Sequence, residues 1–207
     1  MQSEDQALRR KAERGMAAAR LARTVQHDIN NLLTVIFANL EMLKRSAAEG
    51  APQRQLGRVE EAARRFEGTS RAILAFIRRP AGEVAPIRLS EALAALQPLL
   101  QMILSGPGAL SVTLADADPP VLLERTALEE ALLALAAQIA ETQPRGLALT
   151  LTVAAEADGG QLTLALPAGP APPALEAVAE AFRAAGGSAA AEGTGLRLRL
   201  PRHVPPG

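Results

Sequence analysis

Apolar positions recur at steps of three and four along two early stretches of the chain. In the first, Leu21, Val25, Ile29, Leu32, Ile36, Leu40 and Leu43 fall on one side of a helix. In the second, Leu56, Val59, Ala63, Phe66, Ser70, Ile73 and Ile77 alternate steps of three and four, the heptad spacing of a bundle helix. Gly50, Ala51 and Pro52 break the pattern between them, and Pro52 suits the first turn of the second helix. Pro80, Gly82 and Pro86 then predict a linker. Two helices bury little on their own. A hairpin with two such seams over residues 1–80 is therefore expected to pair with a copy of itself as a homodimeric four-helix bundle.

Beyond residue 86 the periodicity changes. A helix is expected over 90–104, a strand over 110–114 closed by 116–120, and a second helix over 126–141. Alternating apolar segments at 147–154 and 161–166 flank Asp158-Gly159-Gly160, a hairpin signal. A third helix over 174–185 lies in an alanine-rich tract running to 191, read here as helix that packs the domain. A last strand follows at 195–200. This order predicts a two-layer α/β sandwich over 86–202, and α+β for the whole chain.

Composition narrows the chemistry. Apolar residues make up 48% of the 207, but aromatics only 2%, so the cores must be built from Leu, Ala, Val and Ile. No apolar run approaches the roughly 20 residues of a membrane span, and the polar stretch 1–14 is not a signal peptide. Without cysteine there is no disulfide, thiol nucleophile or zinc finger, and a cytoplasmic location is expected. With two histidines, a histidine-built metal site is not expected, and no bound cofactor or metal is assigned. Residues 1–80 hold 15 Lys and Arg against 9 Asp and Glu, whereas 81–207 hold 7 against 13. The basic first module suits an acidic partner, or its arginine stems simply coat an alanine-rich helix. Nucleic acid is not expected, because no aromatic side chains interleave the arginines.

The candidate chemistry sits at His27, beside Asp28 and four residues before Asn31. His27 lies two residues from both Val25 and Ile29, about 200° around the axis from each, so it faces away from the apolar seam. Arg20, Thr24, His27, Asn31 and Thr34 form a polar stripe on that side. Imidazole is a nucleophile and phosphoryl carrier that works near neutral pH. By spacing alone the stripe also fits an ordinary solvated histidine on a helix face.

The residues themselves carry a resemblance. His27-Asp28-Ile29-Asn30-Asn31-Leu32-Leu33-Thr34-Val35-Ile36, followed by Asn39-Leu40-Glu41, resembles the histidine box of bacterial two-component sensor histidine kinases. It is most similar to the subgroup whose box reads His-Asp-Phe-Asn-Asn-Leu-Leu, with Ile29 in place of the phenylalanine. Ala62 to Arg65 and Thr69 to Arg79 are similar to that family's second bundle helix, so the resemblance spans roughly residues 15–80. It implies the dimeric bundle already expected from periodicity.

The second module resembles the ATPase domain that follows this bundle in the kinases, with its nucleotide motifs missing. Where the kinase helix carries a magnesium-holding asparagine the matching residue is Gln138, with Ala134 at a second asparagine position. The strand over 162–166 runs into Pro167-Ala168-Gly169-Pro170-Ala171-Pro172-Pro173 without the Asp-x-Gly-x-Gly that binds adenine. Gly193-Thr194-Gly195 matches a late Gly-Thr before the last strand and is weak as a phosphate loop. The resemblance thus implies a degenerate, kinase-ATPase-like sandwich that does not bind ATP.

A kinase-like dimer with a phosphorylatable histidine and no ATP site resembles the dimeric histidine phosphotransferases of phosphorelays. The resemblance implies that His27 takes a phosphoryl group from one receiver-domain aspartate and passes it to another. The receivers include those of hybrid histidine kinases, and they bring their own Mg2+. Asp28 would accept a hydrogen bond from the second ring nitrogen. Asn31, four after the histidine, could instead orient water for a receiver phosphatase. Arg20, Arg23, Thr24, Asn30 and Thr34 are the candidate partner contacts. A third reading is a non-catalytic pseudokinase adaptor, against which the retained trio of His27, Asp28 and Asn31 argues. His203, in the tail 201–207, is expected to fray without function.

Overall fold

The computed structural model describes residues 2–47, 49–104, 108–142, 149–166, 169 and 171–205, with the backbone alone for 2–20, 23 and 24. The fold is α+β, and contacts divide the chain into one unit up to Arg79 and a second from Pro80.

The first unit is a helical hairpin of α1 (Gln2–Ser46) and α2 (Ala51–Arg78). Gly50 turns the chain in the left-handed region, φ 106°, and Pro52 sits in the opening turn of α2. The last carbonyls of α1 are satisfied from the other helix. The Gln53 amide donates to Lys44 O at 2.7 Å and to Ala47 O at 3.2 Å. Lys44 and Glu60 form an ion pair across the hairpin, and Arg64 joins Glu60 at 2.7 Å while its guanidinium lies 5.2 Å from the Phe37 ring centre.

Burial corrects the single seam read from periodicity. The buried line is Ala22, Leu33 and Leu40 on α1, with Ser70 and Leu74 on α2. Leu21, Leu32, Ile36 and Leu43, expected on the covered side, are exposed, as are Val59, Phe66 and Ile77. One helix has one neighbour in a hairpin and can hide only one flank of a wide apolar stripe. The remaining flank stays open along both helices.

The second unit is a sandwich. The strands β1 (Val84–Ile87) and β3 (Val121–Glu124) form a two-stranded antiparallel sheet. Five more strands lie in the order β2-β4-β5-β7-β6: β2 (Leu110–Thr113), β4 (Leu149–Glu156), β5 (Gly159–Ala165), β7 (Gly195–Pro201) and β6 (Ser188–Glu192). β2 runs parallel to β4, and the other pairs are antiparallel. The helices are α3 (Leu89–Leu104), α4 (Arg125–Thr142) and α5 (Ala174–Ala184). Alternate strand residues Leu149, Leu151, Val153, Leu162, Leu164, Leu198 and Leu200 are buried together with helix residues Leu93, Leu100, Leu128, Leu132, Leu135 and Phe182. The opposite strand positions Thr150, Thr152, Thr163, Arg197 and Arg199 are polar. That is the alternation of a sheet covered on one face.

Four expectations are corrected in this unit. The stretch read as linker contains β1, whose Pro86 is tolerated because that strand pairs on one side only. The short strand β3 (Val121–Glu124) was not foreseen between two prolines and a helix. The alanine-rich tract is not helix to 191: Gly186, at φ 76°, ends α5 and the chain returns as β6. Helix propensity loses there to a left-handed stop and a ladder partner. Finally, the tail around His203 does not fray. Arg202 bridges Val121, and the His203 N–H donates to Pro120 O at 2.7 Å. Leu147, expected in β4, lies outside the described residues.

Candidate functional site

α1 carries His27 on its outward side, with the ring 76% exposed. Half-buried Val25 and Ile29 hold the helix on either side of it. Helical spacing places Asn31, four residues on, beside the ring on the same face, whereas Asp28 lies about 100° around the axis and reaches the ring from the side. Asp28 Oδ1 lies 3.4 Å from Nδ1 of His27, and Asn31 Nδ2 lies 3.2 Å from the same nitrogen. Both neighbours therefore crowd one ring nitrogen.

This arrangement can make a nucleophile. A proton on Nδ1 donated towards the Asp28 carboxylate leaves the lone pair on Nε2, and a carboxylate beside the ring stabilises the charge that develops on attack. The 3.4 Å separation is long for a hydrogen bond. Catalytic contacts in unliganded sites are commonly looser than in the reacting complex.

The other candidates divide. The Thr34 hydroxyl donates to Asn30 O at 2.8 Å, turning back to its own helix rather than towards the ring. Asn30 is exposed next to the site. The side chains of Arg20, Arg23 and Thr24 lie outside the described residues. Periodicity did not single out Gln26, whose Oε1 is buried without a partner among the described residues, one position from His27. An amide on the edge of an apolar line was the only signal for it.

In the second unit, the residue at the magnesium-holding position of the resemblance has a different task. Gln138 Oε1 accepts the Ala174 N–H at 2.9 Å, and that N–H opens α5. The cap residue of α5, Pro173, offers no side-chain acceptor, so α4 supplies one from outside. Leu135, Ala136 and Ile139 around this turn are buried. Gly193-Thr194 is the turn between β6 and β7, and Thr194 Oγ1 donates to Leu166 O at 2.5 Å. Gly195 is needed for backbone approach: a Cβ there would clash with the Leu164 carbonyl oxygen. The Gly-Thr-Gly run is accounted for by sheet geometry. Among the described residues no three His, Asp or Glu side chains gather, and no helix is long and apolar enough to cross a membrane.

No family model matches the chain, and no curated protein matches it. Among solved structures it is similar to the Acinetobacter baumannii histidine kinase AdeS at 13% identity and TM-score 0.46, covering 86% of this chain and 98% of that one. It is similar to histidine kinase ThkA, solved with response regulator TrrA, at 14% identity and TM-score 0.44, covering 97% and 66%. Full-length ShkA in complex with AMPPNP is similar at 16% and TM-score 0.42, covering 90% of this chain and 47% of ShkA. The chain thus spans about half the length of ShkA.

Proposed function

We propose that this chain is a homodimeric histidine phosphotransferase of a two-component phosphorelay. His27 accepts a phosphoryl group from the aspartyl phosphate of one receiver domain and passes it to another, without using ATP. The observation that carries the reading is the ring of His27: it lies on an exposed helix face, with Asp28 and Asn31 both at Nδ1. Nε2 attacks phosphorus in line, the new N–P bond forms as the P–O bond breaks, and the electron pair leaves on the receiver's carboxylate. The positive charge on the ring is offset by Asp28. Magnesium enters with the receiver's acidic pocket, whose charge complements the basic hairpin.

Two further features support the finer parts of the reading. Gln138 spends its carbonyl on α5 instead of facing a nucleotide, in line with a second unit that does not bind ATP. The open flank of Leu21, Leu32, Ile36, Leu43, Val59, Phe66 and Ile77 fits a partner hairpin closing a four-helix bundle. Receiver phosphatase activity is the second reading, favoured by the Asn31 amide at 3.2 Å from the ring.

The test is phosphoryl transfer from a phosphorylated receiver, with ATP alone as the control. Acid-labile label on His27 only in the presence of the receiver supports the proposal. Label from ATP alone would overturn the ATP-independent part. Loss of receiver phosphate with no label on His27, persisting in His27→Ala, would make the protein a phosphatase instead.

A further inference from the structure

Asp28 and Asn31 reach the same atom of His27, and they ask opposite things of it. Asp28 Oδ1 is an acceptor 3.4 Å from Nδ1 and is satisfied when Nδ1 carries the proton. Asn31 presents Nδ2, a donor, 3.2 Å from Nδ1, and is satisfied when Nδ1 carries a lone pair. A neutral imidazole has one N–H. With the proton on Nδ1, Nε2 is the nucleophile; with the proton on Nε2, that nitrogen has no lone pair to attack with.

We infer that Asn31 is a positioning residue that opposes Asp28 by holding His27 in the Nε2–H tautomer, acting as a brake on its nucleophilicity. The inference rests on the phosphotransferase reading for its consequence, though not for its existence. Its effect on transfer has a definite sign. Attack by Nε2 requires the Nδ1–H tautomer, in which the amide N–H of Asn31 faces an N–H, so Asn31 slows uptake of the phosphoryl group and Asp28 favours it. Once Nε2 bears phosphorus the ring is first an imidazolium; loss of the Nδ1 proton leaves a lone pair that the Asn31 amide can meet.

The deciding experiment needs no receiver. Nitrogen-labelled histidine in the full chain reports the two tautomers of His27 by long-range nitrogen–proton correlation, with His203→Gln separating the second ring. The measurement is made at about pH 8.5, where model imidazoles are neutral. Asn31→Ala is expected to raise the ratio of Nδ1–H to Nε2–H about two- to tenfold, the range for loss of one ordinary hydrogen bond. Asp28→Asn is expected to lower it. An unchanged ratio in Asn31→Ala, or a fall, overturns the inference; a fall would mean that the amide turns its oxygen to the ring.

With a phosphorylated receiver, Asn31→Ala should then label His27 faster than the unsubstituted protein. Slower labelling, with the tautomer shift observed, would refute the sign assigned to transfer. A tautomer shift with no labelling in the unsubstituted protein would uphold the contact and remove the phosphotransferase reading.

Discussion

Gln138 on α4 accepts the first free N–H of α5, that of Ala174, at 2.9 Å. One helix is thereby capped by the side chain of another, because Pro173 at the cap position has no acceptor of its own. Gln138→Leu keeps the volume and removes the acceptor, leaving a part-buried N–H unsatisfied. It is expected to cost about 1 kcal/mol of stability, the typical worth of an N-cap, read as a lower midpoint in urea. Gln138→Asn, which restores the residue type of the kinase pattern, is one methylene too short for this cap and should not create nucleotide binding. Saturable binding of a fluorescent ATP analogue by either variant would contradict the assignment of this residue.

His27 is the second test. Its ring is 76% exposed, and its polar contacts among the described residues are with its own helix neighbours, so His27→Ala should alter stability by no more than about 0.5 kcal/mol. Transfer should vanish while the helical circular dichroism and thermal midpoint stay in place. A variant that unfolds would place His27 in the packing of the hairpin instead of at its surface.

How far the sequence could be read depended on whether local pattern or long-range pairing decided each element. Both helices of the hairpin were legible because 3.6-residue periodicity and the Gly50-Ala51-Pro52 break act locally. The approach of Asn31 to His27 was legible for the same reason, because residues four apart share a helix face; the approach of Asp28 was not, since adjacent residues do not face each other. The strands β1, β3 and β6 were not. Val84–Ile87 contains a proline, Val121–Glu124 is four residues long, and Ser188–Glu192 is built of alanines. Each exists through a ladder partner distant in sequence, or through the Gly186 stop, and none has a period of its own. The inward displacement of Leu33, and the exposure of Leu32, likewise follow from where α2 lies and not from α1 alone.

The open apolar flank carries the third prediction. Leu32 is 64% exposed and Phe66 is 56% exposed, both on helices whose other side is already covered. If a second hairpin closes the bundle there, Phe66→Glu places a carboxylate in that interface and should shift the protein from a dimer to one 21.6 kDa chain per particle in light scattering. The same substitution in a protein that is monomeric from the start would leave the mass unchanged and remove the dimer from the proposal.

The last prediction concerns acid. Glu60 is held below the ordinary carboxylate range, first by its hydrogen bond with Lys44 and next by that with Arg64, so the folded state binds its proton less readily than the unfolded chain does. A depressed folded pKa contributes stability that is fully present above the unfolded value of 4.5 and is lost as pH falls through the folded value. Glu60→Gln removes this titration. The thermal midpoint of the unsubstituted protein should therefore exceed that of Glu60→Gln near neutral pH, and the gap should narrow below about pH 4.5. Added salt should narrow it at neutral pH as well, because the pair is only partly shielded from solvent. A gap that widens in acid would show that the charge on Glu60 opposes folding. The cross-helix pair would then be a consequence of the hairpin's register and would contribute nothing to its stability.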